Sequence, residues 1–406
     1  MQEQYGEMLT TNFKNIQVAK LKVKLLAFRG APESVFKNAV SRIGKLIPTA
    51  DYILAESDPD ILFFLSGGSE LPAIQQVSAG NFYVLVGSQH DNSYASATEV
   101  KARLNEMNIP SVLLDEEEAG TFGWLGNFHT AKQALENLRG KRLGLIGQVS
   151  DWLIASAIPA DVLDERLGIE LNVIPWTELP HYSGFNASVP FLDTYSGATK
   201  MNITETAKVN AMLADAIRVH KLDAITVECF TMVQNDSVTA CLPLARFNNE
   251  GIPAGCEGDL TAISGMMLCK ELTGIVPWIA NINKATDELC MFSHCTIAPG
   301  LVTDYSVKTH FETGLGTAIE GDFKGDRVTI FRFDNKLKRA FIATAPVTGR
   351  PKSPTACRTQ IEVKLNGNEV QLLRQNPLGN HHLIFPGDCT VLLYMACMLL
   401  GISVLK

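Results

Sequence analysis

The chain has 406 residues, enough for two or three domains that each bury a core of their own. A formal net charge of −8 leaves no basic surplus to release counterions from a polynucleotide, which excludes nucleic acid as a general partner. Nine cysteines without a CxxC spacing argue against a disulfide framework and against zinc built from cysteines, and fit reduced thiols in a cytoplasmic protein.

The first ten residues, MQEQYGEMLT, have no basic segment followed by an apolar one, so no secretory leader is expected. Apolar runs at 22–28, 61–65, 82–87 and 111–114 read as buried parallel strands. Between them, 32–46 and 96–107 carry apolar residues at helical spacing. A second set opens after the basic segment ENLRGKR, with strand candidates at 142–147, 171–175, 224–227 and 275–280 and a helix over 207–220. Strands alternating with helices imply βαβ units and a parallel sheet. Beyond residue 300 the pattern changes to short alternating segments at 317–320, 327–333, 338–344 and 360–365, divided by turns such as Lys324-Gly-Asp and Leu365-Asn-Gly. That is antiparallel texture. The last apolar stretch, 390–405, is shorter than a membrane span and reads as a buried helix followed by a short strand. The expected fold class is therefore α/β, with two doubly wound parallel-sheet domains, 1–140 and 141–300. A small antiparallel, barrel-like domain with a terminal helix follows over 301–406.

Open α/β sheets place ligands beyond the carboxyl ends of their strands. Four polar loops fall there: Ser66–Glu70, Gly87–Asn92, Gly147–Trp152 and Glu228–Phe230. Each is also an ordinary strand-to-helix turn with a capping residue. No dinucleotide fingerprint, P-loop or GxSxG elbow is present, which disfavours nucleotide chemistry. Glu257, in a Cys-Glu-Gly-Asp turn, and His294, in Ser-His-Cys, lie beside apolar runs. A carboxylate and an imidazole at strand ends suit a hard or borderline divalent ion. The competing readings are a helix-capping carboxylate, with Asp259 able to cap alone, and a buried, hydrogen-bonded histidine. Asn380-His381-His382 is a further imidazole source.

Taken together, SGGSE at 66–70, GQVSDWLIAS at 147–156, EGIPAGCEGD at 250–259, SHCTIAP at 293–299, Cys357-Arg-Thr-Gln360 and GNHH at 379–382 resemble segments of the L-fucose isomerase and L-arabinose isomerase superfamily. The resemblance implies an aldose–ketose isomerase acting on a small sugar through an ene-diol, with a divalent cofactor, most often manganese. It implies ion ligation by Glu257, His294 and His381, with His382 an alternative to His381. Where the family has its second acidic ligand this chain has Asn281, in Trp278-Ile-Ala-Asn281. An amide can ligate a cation but cannot take up a proton. The resemblance leaves Glu257 and Asn281 as the candidate catalytic positions, Asn281 as a further metal ligand, and Glu228, Trp152, Asp259 and His382 as the candidate sugar contacts. With the amide at 281, either Glu257 is the base alone, or Glu228 or Asp259 substitutes, or the chain is a silent or divergent paralogue that binds a sugar or sugar derivative. A homo-trimer or homo-hexamer, without membrane partners, is also implied.

Overall fold

The structure, a computed structural model, describes residues 20–406. The segment on which the expectation of no secretory leader rests lies outside them. The described residues divide into two compact units, 20–133 and 134–406. In the first, β1 (Leu21–Leu26), β2 (Tyr52–Leu54), β3 (Ile61–Phe64), β4 (Tyr83–Gly87) and β5 (Ser111–Asp115) form one sheet in the order β2-β1-β3-β4-β5. Every pairing in it is parallel. Strands β3 and β4 are buried along their whole length, which is why they read as continuous apolar runs rather than alternating ones. The expected helices appear as Glu33–Leu46 and Ser93–Glu106.

The second unit opens with another parallel sheet: β6 (Arg142–Ile146), β7 (Glu170–Ile174), β8 (Ala224–Val227) and β9 (Ala254–Cys256), ordered β7-β6-β8-β9. The strand that begins at Trp278 does not join it. Strand β10 (Trp278–Thr286) pairs antiparallel with β11 (Leu289–His294) and with β17 (His381–Pro386). The reading of 275–280 as a member of the second parallel sheet is thus corrected. A short buried run has the same local pattern in either setting, and only its partners tell them apart.

Strand β12 (Val302–Lys308) forms a separate antiparallel pair with β13 (Ala318–Phe323). Strands β14 (Arg327–Phe333), β15 (Arg339–Gly349) and β16 (Thr359–Lys364) complete a closed barrel in the order β14-β17-β10-β11-β16-β15, with β15 returning to β14. Strand β18 (Ser403–Val404) lies parallel on β15, after the expected terminal helix Thr390–Leu399. Trp278, Phe292, Ile330, Phe341, Ile361 and Ile384 fill the core of this region. The Leu365-Asn-Gly segment, expected as a turn between strands, instead starts the helix Gly367–Gln375. Asn366 and Glu369 form a reciprocal capping box there, which satisfies two of the helix's free amide donors.

Between the parallel sheet and the barrel runs the helix Leu260–Thr273, packed against β8 and β9 on one side and β14 and β17 on the other. It is buried nearly all round, as a helix between two layers must be. Each of its large apolar side chains contributes about 1.5–3 kcal/mol by burial. Its amino-terminal cap is Asp259, so the carboxyl end of β9 meets the first residue of β17. No helix among the described residues is long and apolar enough to cross a membrane.

Candidate metal and sugar site

The Cys-Glu-Gly-Asp turn leaves β9 through two left-handed residues, Glu257 (φ 61°) and Gly258 (φ 71°). For glutamate this conformation costs roughly 1–2 kcal/mol, and such outliers are held in place by their surroundings. The surroundings here are the Gly147–Trp152 loop. Ser150 donates its amide to the Glu257 carbonyl at 3.0 Å. A Cβ on Gly258 would stand 2.4 Å from the Gln148 carbonyl oxygen, so only glycine allows the two loops this close. Trp152, 53% exposed, donates its indole N–H to Glu257 Oε2 at 2.5 Å and meets Phe230 edge-on at 4.9 Å.

Asp259 is fully buried. Its Oδ1 accepts from the Ala262 amide at 2.7 Å and from the Thr261 hydroxyl at 2.6 Å, capping the helix. Its Oδ2 lies 2.9 Å from His381 Nδ1 and 3.7 Å from the buried Arg332 guanidinium. Burial alone would raise this carboxyl, but the His381 hydrogen bond and the Arg332 charge outweigh it and hold it below the usual carboxylate range. An ionised Asp259 can only accept, so His381 carries its proton on Nδ1. In the neutral ring that leaves the lone pair on Nε2, the tautomer a metal ligand needs. That Nε2 is buried, has no hydrogen-bond partner among the described residues, and stands 3.9 Å from Glu257 Oε1.

His294, the last residue of β11, lies with its ring 5.4 Å from that of His381. Thr296 Oγ1 is 2.9 Å from His294 Nδ1. Burial, with the nearby His381 and His310, pushes the imidazole well below its ordinary value, so it stays neutral. Ligating atoms of Cys256, Glu257 and His294 all lie within 4.8 Å of one another.

Glu257 opens onto a cleft of about 410 Å³ lined by Trp152, Phe230, Asn281, Ile282, Asn283, Glu312 and Asn380. Asn281 therefore borders the site, with its side chain engaged: its Oδ1 accepts from Asn380 at 2.5 Å and its Nδ2 lies 4.0 Å from Cys357 Sγ. Glu312 is a second carboxyl in the same cleft. Burial raises it above its ordinary value, and the charge on Glu257 adds to the effect.

Three of the four sequence-derived sugar contacts lie elsewhere. His382 follows His381 on β17, and successive strand residues face opposite sides. Its ring packs against Phe292 and Phe341 of the barrel, with Nδ1 held by the Asn380 carbonyl at 2.8 Å. Burial lowers it to about 3. Glu228 turns under the neighbouring loop instead of lining the cleft. Its Oε2 accepts from the Gln148 amide at 3.2 Å and from Trp176 Nε1 at 3.1 Å. A Cβ on Gly147, which has φ 80°, would collide with both groups. Asp259, fully buried, serves His381 rather than the cleft. Trp152 is the one sugar-contact candidate that does line it.

Sequence reasoning missed Glu312, Asn283 and Cys256. Glu312 sits in the His310-Phe-Glu-Thr-Gly314 segment between β12 and β13, where a histidine and an acid in a glycine-containing turn were a readable signal. Cys256 gives no spacing signal, because the cysteines lack a CxxC pair. A mixed Cys-Glu-His group needs no such spacing. All nine cysteines are free. No protein-family model matches the chain, and no curated protein matches it.

Proposed function

We propose that this cleft is the site of a divalent-ion-dependent aldose–ketose isomerase of the fucose and arabinose isomerase type, working on a free sugar through an ene-diol. The observation that carries this reading is the buried His381 Nε2, without a hydrogen-bond partner among the described residues, 3.9 Å from Glu257 Oε1 and on a ring whose Nδ1 is held by Asp259. An orphaned buried nitrogen is costly unless something fills its position. With neutral His294 alongside, the donors fit a divalent ion. Glu257, His294 and His381 would hold it, with the Asn281 oxygen beside them. The carboxylate and amide oxygens suit manganese, and the imidazoles suit first-row ions such as zinc and iron as well; manganese is the ion the resemblance implies. The ion, when bound, supplies Lewis-acid polarisation of the substrate's carbonyl and adjacent hydroxyl.

The chain's own groups would do the rest. Glu257 takes the proton from C2 of the aldose and returns it at C1, while the hydroxyl proton passes from O2 to O1. Glu312, with its raised carboxyl, can hold the second proton in transit. The exposed face of Trp152 offers a stacking surface for a sugar ring, and the amides of Asn281, Asn283 and Asn380 offer donors and acceptors for its hydroxyls. No lysine or arginine is among these lining residues, which favours uncharged sugars over phosphorylated ones. The strand orders of the two parallel sheets fit the doubly wound layout that the resemblance implies. A trimer or hexamer belongs to the same proposal.

One observation favours a second reading, a sugar-binding paralogue without turnover. Asn281 cannot carry a proton, and its amide is already hydrogen-bonded to Asn380. The test is a metal-stripped preparation assayed on a panel of free aldoses with and without manganese. The expected result is manganese-dependent ketose formation, lowered by a factor on the order of 10²–10⁴ in Glu257→Gln and raised in Asn281→Asp. Sugar binding without turnover in both the natural protein and Asn281→Asp would replace the isomerase reading with the second one.

A further inference from the structure

Residue 256 ends β9, and in an extended strand its side chain would face away from that of residue 257. The left-handed backbone at Glu257 (φ 61°) breaks that alternation. The Cys256 sulfur therefore shares one small volume, 4.8 Å at most between ligating atoms, with the Glu257 carboxylate and a His294 ring nitrogen. Behind Cys256 lies a reserve of buried thiols. Cys229 Sγ is 3.2 Å from Cys256 Sγ, and Cys241 is likewise buried and free. Among the described residues the group whose ligating atoms all come together is therefore Cys256, Glu257 and His294, while His381 Nε2 approaches the same carboxylate at 3.9 Å. Hard ions discriminate against sulfur, and thiophilic ions seek it.

We propose that a thiophilic divalent ion, of the zinc and cadmium class, binds through Cys256 Sγ, the Glu257 carboxylate and a His294 ring nitrogen, and competes there with an oxygen-preferring ion. On binding, the Cys256 S–H bond is replaced by a sulfur–metal bond and the proton passes to solvent; no electrons are transferred. The inference shares Glu257 and His294 with the isomerase reading, but its readout needs no turnover.

The test is a titration of the metal-stripped full-length protein with Cd²⁺, followed by the near-ultraviolet absorbance of the thiolate–cadmium bond. One equivalent per chain should develop this band. Cys256→Ser and Cys256→Ala should abolish that equivalent, with circular dichroism verifying that each variant is folded. His294→Gln removes a direct ligand and should weaken Cd²⁺ binding by more than the roughly 10–100-fold that loss of a group supporting a ligand costs. Cys229→Ser should keep the band, since Cys229 contributes only to the thiol row behind the site. Absence of the band in the natural protein, its persistence in folded Cys256 variants, or its loss in Cys229→Ser would each overturn the proposal. Manganese-dependent turnover tests the isomerase reading separately, so either can fail without the other.

Discussion

Replacing Asp259 by asparagine should uncouple ion affinity from the rest of the site. Asparagine is as good an amino-terminal cap as aspartate, so the bonds from Ala262 and Thr261 (2.7 and 2.6 Å) can survive. What is lost is the charge. Arg332, 2% exposed, keeps its bonds to the His381 carbonyl and to Ser156 Oγ, yet no longer faces a carboxylate. Breaking a buried ion pair costs on the order of 3–5 kcal/mol, and the surviving bonds place the expected loss near the lower end. In addition, with its oxygen used for the cap, the amide presents an N–H to His381 Nδ1. The ring must then move its proton to Nε2, the atom that faces Glu257, and a protonated nitrogen cannot ligate. Removal of such a supporting group lowers ion affinity about 10–100-fold. Manganese binding followed by calorimetry and urea unfolding of the same samples measures both effects. The acid limb adds a signed check. The Asp259 carboxyl is held low in the folded protein, so its contribution is present above the unfolded value of about 3.9 and is lost as pH falls through the folded one. Asp259→Asn should therefore lose less stability below about pH 4 than the natural protein does. Unchanged manganese affinity together with an unchanged urea midpoint would refute the reasoning about the His381 tautomer.

Three further outcomes are expected. Gly258→Ala should destabilise the protein by at least about 1–2 kcal/mol from the left-handed backbone alone, and more from overlap with the Gln148 carbonyl; an unfolding midpoint like that of the natural chain would contradict the proposed closeness of the two loops. His382 is held neutral, lowered to about 3, so between about pH 6.5 and 3 the unfolded chain takes up a proton that the folded one refuses, and stability falls with acid by up to about 1.4 kcal/mol per unit. His382→Leu should flatten that limb, and equal slopes in the two proteins would show that the buried imidazole does not contribute. Light scattering at micromolar concentration should give the mass of a trimer or hexamer; a monomer would count against the assembly that the resemblance implies.

Local sequence was enough to locate most strands and helices, because burial on both faces and helical spacing are short-range patterns. β3, β4 and the helix Thr204–His220 could each be read from one short continuous stretch. The Cys-Glu-Gly-Asp segment was legible as a turn, but the left-handed backbone at Glu257 (φ 61°) was not, since glutamate rarely adopts it. Partnership was not legible. β10 is a buried run like any other until it pairs with β17, and that pairing spans about a hundred residues of chain. The choice between His381 and His382 depends on register, because a shift of one residue exchanges the faces of a strand. In the structure His381 faces Asp259 and Glu257, and His382 faces Phe292 and Phe341. Glu312 and Cys256 joined the site only through folding, one from a loop after β12 and one through a backbone reversal that no periodicity encodes. Residue types and their local spacing named the chemistry available to this chain. Non-local pairing, which brings the end of β9 against the start of β17, decided which of those residues meet.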